Sequence, residues 1–277
     1  MSFPGAQQAP LHRRGRRRVA PATCAVLAVA MGTLQLGSCT ALDRGVGERI
    51  SHGPFHEVRI YLPRPPAQHL ALLLSGDGGW GRPLPEIARR LTDQGALVAG
   101  IDVRDLFSSY LGDPRSCVSP GADLADLARH LEQRYALPDT PAVLIGHSAG
   151  ATLVYIALMQ SPAGAFAGAL TLSFCADLDL SKPLCVAPGL RSLPRTSGMR
   201  LLPAPSALSE PWYALHGLDD TECPAAEARE FVARLPSARF IALPGITHSY
   251  HHLDRWWPAF EAAWRQLAPP GPGVSAP

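Results

Sequence analysis

Residues 142–146 form a continuous apolar run that ends in Gly146-His147-Ser148-Ala149-Gly150 and passes directly into small and aliphatic residues at 149–160. The run reads as a strand buried on both faces and the stretch after it as a helix, with no ordinary loop between them. On its own a G-x-S-x-G pentapeptide arises by chance in Gly-rich turns. Between a strand and a helix it is a nucleophile elbow, a turn so tight that the residues two positions either side of the Ser must lack bulk. Such a turn presents the Ser148 hydroxyl, and the helix start points N–H groups and a positive dipole end at charge developing beside it.

The rest of the chain follows the same alternation. Strand-like runs at 58–62, 69–75, 96–102, 168–174, 212–216 and 239–243 alternate with helical patterns at 84–94, 122–135, 225–235 and 253–267. Leu84, Ile87 and Leu91 recur at helical spacing, and that pattern stops at Gly95. The alternation predicts an α/β protein with a mostly parallel central sheet and helices on both faces, a three-layer α/β/α sandwich. Residues 55–268 suffice for one such domain with its own core. The segment 181–210, rich in Pro, Ser and Arg, is too long for an ordinary connection and reads as a lid or insertion. Residues 39–54 read as an irregular tether, and 269–277 as a frayed tail.

A serine hydroxyl is a weak nucleophile and needs a base, itself oriented by an acid. Behind the elbow these should follow in chain order, on loops after late strands. After the strand at 212–216 comes Gly217-Leu218-Asp219-Asp220-Thr221-Glu222-Cys223-Pro224. The pattern H-G-x-x-D-x-x-x-P, common in the α/β-hydrolase fold, places the acid at Asp220, with Asp219 as second choice. After the strand at 239–243 comes Pro244-Gly245-Ile246-Thr247-His248, a glycine turn leading to the expected base, His248. His251 and His252 are its neighbours and the competing choices. His147, inside the elbow, packs or orients and is not the base.

An ester hydrolase also needs donors for the oxyanion: the amide after the nucleophile, Ala149, and one from an early loop. Leu74-Ser75-Gly76-Asp77-Gly78-Gly79-Trp80 supplies such a loop, with the Asp77 amide as the second donor. Gly78, Gly79, Trp80 and His147 are the substrate-binding candidates. The loop lacks the Lys-Ser/Thr ending of a P-loop, so no nucleotide site is expected. His248, His251, His252 and Asp254 are spaced closely enough to suggest zinc, but H-E-x-x-H is absent, and neither metal nor cofactor is expected.

Charge is unevenly placed. Arg13, Arg14, Arg16, Arg17 and Arg18 precede an apolar stretch at 19–36, and no acid occurs before Asp43. This is the pattern of an export signal over 1–38. Leu36-Gly37-Ser38-Cys39 fits a lipoprotein processing site with Cys39 lipidated, an ordinary cleaved signal or a retained N-terminal anchor being the alternatives. Removing 1–38 turns a net charge of +2 into −3, which gives no footprint for nucleic acid. Cys24 leaves with the signal. Cys117, Cys175, Cys185 and Cys223 then suggest two disulfides in an exported chain, with three possible pairings. Closeness in sequence favours 175–185 with 117–223.

The segment at 73–80, Leu-Leu-Ser-Gly-Asp-Gly-Gly-Trp, resembles the opening signature of the bacterial virulence protein (VirJ) family, which includes the C-terminal half of AcvB. Similar too are Gly100-Ile101-Asp102, Ala122-Asp123-Leu124, Asp220 with Cys223-Pro224, and Leu243-Pro244-Gly245 before His248, so the resemblance spans 69–265. The family elbow usually reads G-Y-S-F-G-A-D, where this chain has Gly146-His147-Ser148-Ala149-Gly150-Ala151-Thr152. Membership implies a periplasmic serine esterase acting on the aminoacyl ester of phosphatidylglycerol, a membrane lipid. It also implies the alternative of a non-catalytic partner of type IV secretion components. A general carboxylesterase or lipase of the same fold is the other reading, and the chain is expected to be a monomer.

Overall fold

The computed structural model describes residues 45–269, except 65 and 205–207. The export signal, Cys39 and the residues from 270 onward lie outside the described residues.

The chain begins with β1 (Val46–His52) and β2 (Phe55–Tyr61), then β3 (His69–Leu74), α1 (Leu84–Asp93), β4 (Ala96–Ile101), α2 (Val103–Gly112) and α3 (Pro120–Tyr135). β5 (Val143–His147), α4 (Ala149–Gln160) and β6 (Gly168–Leu172) follow. Three short strands come next, β7 (Asp177–Leu178), β8 (Arg191–Pro194) and β9 (Met199–Leu202). β10 (Trp212–Gly217), α5 (Ala225–Ala233), β11 (Ala238–Leu243), a 3-10 turn (Leu253–Arg255) and α6 (Trp257–Leu267) complete it.

Eight strands form one sheet in the order β1-β2-β4-β3-β5-β6-β10-β11, antiparallel at β1/β2 and β2/β4 and parallel elsewhere. Successive residues of a strand face opposite sides, and here both sides are apolar. Leu70, Leu72 and Leu74 join a core that includes Leu124 and Leu127 of α3, Val154 of α4 and Phe231 of α5. Ala71 and Leu73 join a second core with Ile87 and Leu91 of α1 and Phe260 and Trp264 of α6. This is the expected three-layer sandwich.

One sequence reading needs correction. The tether proposed for 39–54 contains β1, whose residues alternate between half-buried and exposed as an edge strand paired to β2. The segment 181–210 carries two strands of a separate antiparallel sheet, ordered β7-β9-β8.

The four cysteines among the described residues are all paired, but as Cys117–Cys185 and Cys175–Cys223, with Cα atoms 4.9 and 5.2 Å apart. This corrects the pairing that sequence proximity favours. Cys175 follows β6 and Cys223 follows β10, and these strands are neighbours in the sheet. Cys185 is carried instead to the loop before α3, where its amide donates to Val118 O at 2.8 Å and the Val118 amide donates to Pro183 O at 2.9 Å. Among the described residues no helix is long and apolar enough to cross a membrane.

Candidate active site

β5 ends at the elbow. Ser148 has φ +54° and ψ −122°, a conformation in which a non-glycine residue stores strain. What enforces it is packing. A Cβ on Gly146 would lie 2.3 Å from Gly150 O, and one on Gly150 would lie 2.2 Å from Ser75 O, so the turn closes only with glycine at both places. The Ser148 amide donates to Leu172 O of β6 at 2.9 Å, and Ser148 O accepts from the Thr152 amide at 3.1 Å, anchoring the turn at both ends.

The loops after β10 and β11 bring two more side chains to this point. His248 Nε2 lies 3.0 Å from Ser148 Oγ, and His248 Nδ1 lies 3.0 and 3.1 Å from the two carboxylate oxygens of Asp220. With Nδ1–H donating to Asp220, Nε2 is left as an acceptor for the Ser148 hydroxyl. Asp220 is buried, whereas Asp219 is exposed and only its backbone is engaged, donating to Ile246 O at 3.1 Å. The first choice of acid therefore sits at the histidine and the second does not. His251 and His252 are exposed and lie off this line.

Asp220 is itself held by four donors. Besides His248 these are the Cys223 amide at 2.9 Å and the Glu222 amide at 3.0 Å, both to Oδ1, and the Ser173 hydroxyl to Oδ2. Burial opposes the charge on Asp220, but the bonds from His248, Ser173 and Cys223 win and bring its pKa down to about 2. Burial likewise opposes charge on His248. The bond and charge of Asp220, with Glu222 and Asp77 further out, overcome it and hold the imidazole above its ordinary value.

Several supporting residues have no role assigned from the sequence. The buried Tyr250 hydroxyl accepts from the amides of Ser173 at 3.0 Å and Gly217 at 3.3 Å, and donates to Leu215 O at 2.8 Å. It ties together the ends of β6 and β10. His216, fully buried, donates from Nε2 to Cys223 O at 2.7 Å, and burial keeps it below its ordinary pKa. Glu222 places a carboxylate oxygen 3.6 Å from His248 Nε2 while remaining exposed. Among the described residues five non-glycine residues have positive φ, and four of them, Ser148, Ser173, Tyr250 and His252, lie on the elbow or on the loops after β6 and β11.

The glycine loop after β3 lies against the elbow. A Cβ on Gly76 would come 3.0 Å from Ser148 Cβ, so the loop packs directly on Ser148, and the amide next in the chain is that of Asp77. The Asp77 and Ala149 amides donate to no protein acceptor among the described residues, which leaves both available to an oxyanion. The substrate-binding candidates fare less evenly. Gly78 is exposed with open space around it, and Gly79 lies under the Arg104 guanidinium. Trp80 is buried at 7% exposure, its ring on Gly100 where a Cβ would come within 2.3 Å, and its amide donates to Asp102 at 2.9 Å. It is a core residue, so its assignment to substrate is withdrawn. His147 donates from Nε2 to His248 O at 2.8 Å and meets Tyr250 edge-on, and burial lowers its pKa. It is a neutral brace for the histidine loop.

Asp220, Cys223 and His248 place ligand-type atoms within 4.8 Å of one another. The Cys223 sulfur is bonded to Cys175, and the other two side chains are bonded to each other. The donor set is thus engaged within the protein and does not fit a metal centre. The His248, His251, His252 and Asp254 grouping suggested by spacing is not among the metal-type clusters of the described residues.

A mostly parallel sheet with helices on both faces, a serine on a strand-to-helix elbow and a histidine and acid on later loops define the α/β-hydrolase fold. The sequence profile of the bacterial virulence protein (VirJ) family matches residues 68–171, from the approach to β3 into β6, which takes in the glycine loop and the elbow. The chain is 25% identical over 260 residues to a probable isoprenylcysteine alpha-carbonyl methylesterase of Oryza sativa subsp. japonica. That alignment covers 79% of this chain and 61% of the relative, so the chain spans under two thirds of that protein. The esterase domain of a Rhodothermus marinus protein superposes with a TM-score of 0.52 at 19% identity, over 76% of this chain and 92% of that one. An α/β serine hydrolase without lid from Xanthomonas campestris superposes with a TM-score of 0.54 at 18% identity, over 82% and 98%. These two likenesses show the fold.

Proposed function

We propose that the chain is an ester hydrolase in which Ser148 is the nucleophile, His248 the general base and Asp220 the orienting acid. The observation that carries this reading is the continuous line of hydrogen bonds from Ser148 Oγ through His248 to Asp220. Ser148 Oγ attacks the ester carbonyl carbon as its proton passes to His248 Nε2. The carbonyl oxygen becomes an oxyanion that accepts from the Asp77 and Ala149 amides. Collapse breaks the ester C–O bond, and the proton on Nε2 goes to the departing alkoxide, leaving an acyl-Ser148. Water, deprotonated by His248, then attacks the acyl carbon and restores the free hydroxyl.

The substrate we propose is an aminoacyl ester of phosphatidylglycerol. The exposed carboxylates of Glu222 and Asp77 near His248 support it, because the acyl group of such an ester carries an ammonium. Two disulfides support an exported chain, since they persist in oxidising compartments. We place it in the periplasm, anchored through Cys39. The likeness to a methylesterase favours one second reading, a carboxylesterase of broader acyl range.

A fluorophosphonate probe tests the chemistry: wild type is labelled on Ser148, and Ser148→Ala is not. A folded wild-type protein that resists labelling refutes the hydrolase reading. Release of lysine or alanine from aminoacylated phosphatidylglycerol tests the substrate, and turnover of short nitrophenyl esters alone refutes that part.

A further inference from the structure

The segment that follows His248 in the chain, together with the start of α1, lines a cavity of about 460 Å³ that the chemistry above leaves unused. One wall is the turn into α1 and the first turns of that helix. The other is the segment just after the catalytic histidine, from Tyr250 to Asp254. A cavity of this size suits a small-molecule group.

Its charge is lopsided. Arg89 pairs with Glu86 at 2.5 Å, and Arg90 is bound by Asp254 and lies over the Trp257 ring at 5.1 Å. The carboxylates of the lining are therefore already engaged. Arg82 is exposed and its guanidinium has no partner among the described residues. His251 and His252 are exposed as well, their rings edge to face at 6.5 Å, with no hydrogen-bond partner among the described residues. Tyr250 and His252 hold φ of +51° and +59°, so the backbone that presents these rings is set in a sparsely populated conformation. Pro83 and Pro85 stiffen the opposite wall. The result is a fixed concave surface with one free guanidinium fork, two free imidazoles and no free carboxylate. A guanidinium fork matches phosphate oxygens two at a time, and imidazoles add further donors.

Position ties the cavity to the reaction. His251 is three residues from His248, which places its Cα within roughly 11 Å of the base. Arg82 follows directly on the loop that carries the Asp77 amide.

We propose that this cavity is a phosphate subsite, in which Arg82, His251 and His252 hold the phosphate of an O-acylated glycerophosphate while its ester carbonyl lies at Ser148. The inference rests on the reading of Ser148 as the ester nucleophile. It adds a second point of recognition on the leaving-group side, opposite in charge to the Glu222 and Asp77 carboxylates on the acyl side.

Steady-state kinetics on three esters test it: aminoacylated phosphatidylglycerol in vesicles, a soluble aminoacyl glycerophosphate, and neutral nitrophenyl acetate. For Arg82→Ala, and for the double variant His251→Ala with His252→Ala, the kcat/KM ratio of phosphate-bearing to neutral ester should fall about tenfold or more, through KM. Arg82→Lys should recover part of the loss, because a point charge replaces a fork. Loss on both phosphate esters assigns recognition to the phosphate itself, and loss on vesicles alone assigns it to the phosphate of a lipid headgroup. Both support the subsite, while an unchanged ratio in both variants overturns it. Should wild type turn over none of the three esters, labelling by the fluorophosphonate probe decides the hydrolase reading by itself. Calorimetry with glycerol 1-phosphate then decides the subsite: binding that Arg82→Ala weakens supports it, and absence of binding to wild type overturns it.

Discussion

Replacing Asp220 with Asn keeps the shape of the side chain and changes only what it offers to His248. In the wild type, Oδ1 accepts from the Cys223 and Glu222 amides at 2.9 and 3.0 Å, and Oδ2 accepts from Ser173 and from His248 Nδ1 at 3.0 Å. An amide can serve only one of these pairs with its oxygen. The two backbone N–H groups cannot turn away, so the amide oxygen goes to them and the NH2 group faces His248 and Ser173. Nδ1 must then accept, its proton moves to Nε2, and Nε2 can no longer take the proton of Ser148. Loss of the correct tautomer in a Ser–His–Asp site costs on the order of 10⁴ in kcat, with KM little changed. The same substitution has a pH signature in stability. A carboxyl held at about 2 in the fold, against an ordinary 3.8, contributes about 2 kcal/mol. A depressed folded pKa stabilises above the unfolded value and loses that contribution as pH falls through the folded one. The wild type should therefore lose this increment between about pH 4 and pH 2 and the variant should not. Nitrophenyl ester hydrolysis gives kcat, and circular-dichroism melts from pH 2 to pH 7 give the stability difference. A kcat within tenfold of wild type refutes the tautomer argument. So does a larger loss in Asp219→Asn, since the Asp219 side chain is exposed and only its backbone is engaged.

Two further outcomes follow from the same geometry. Glu222→Gln removes a carboxylate 3.6 Å from His248 Nε2 that helps keep the imidazole protonated, so the acid limb of the kcat/KM profile should move to lower pH; a limb that stays put or moves up contradicts the assignment. Gly150→Ala puts a Cβ 2.2 Å from Ser75 O and 2.8 Å from Leu74 O, backbone that cannot give way. It should cost about 3 kcal/mol or more, read as a drop in Tm of roughly 10 °C. Gly112→Ala, with open space at the added Cβ, is the matched control.

How much of this was legible in the sequence depended on how local each signal was. β3, β4, β5 and β6 were readable because both faces of these strands are buried, which writes an unbroken apolar run. β1 was not, because an edge strand of the sequence VGERISH is apolar on neither face. α2 hides its start behind Asp102, whose side chain caps it by accepting from the Arg104 amide. The line from Ser148 to Asp220 was legible because each member follows its own strand in chain order. Ser173 and Tyr250 were not, since they meet Asp220 only because β6 lies beside β10. The same adjacency decides the cysteine pairing that proximity in sequence had assigned otherwise. Trp80 follows a glycine loop, the place of a substrate-facing aromatic, but the gap at Gly100 takes its ring into the core.

The Cys175–Cys223 bridge joins the two segments that hold Asp220. Cys223 gives its amide to the carboxylate, and Cys175 lies two residues past Ser173, which gives its hydroxyl. Cys175 O also accepts from Thr152 on the helix that starts at the elbow, at 2.8 Å. The acid's cradle is therefore fastened by a covalent bond that translation does not make. A newly synthesised chain carries every residue of the site, yet the covalent tie between the two segments around Asp220 forms only when two thiols have been oxidised. The covalent fastening of the site is in that sense a step that comes after synthesis and depends on an oxidant as well as on the sequence.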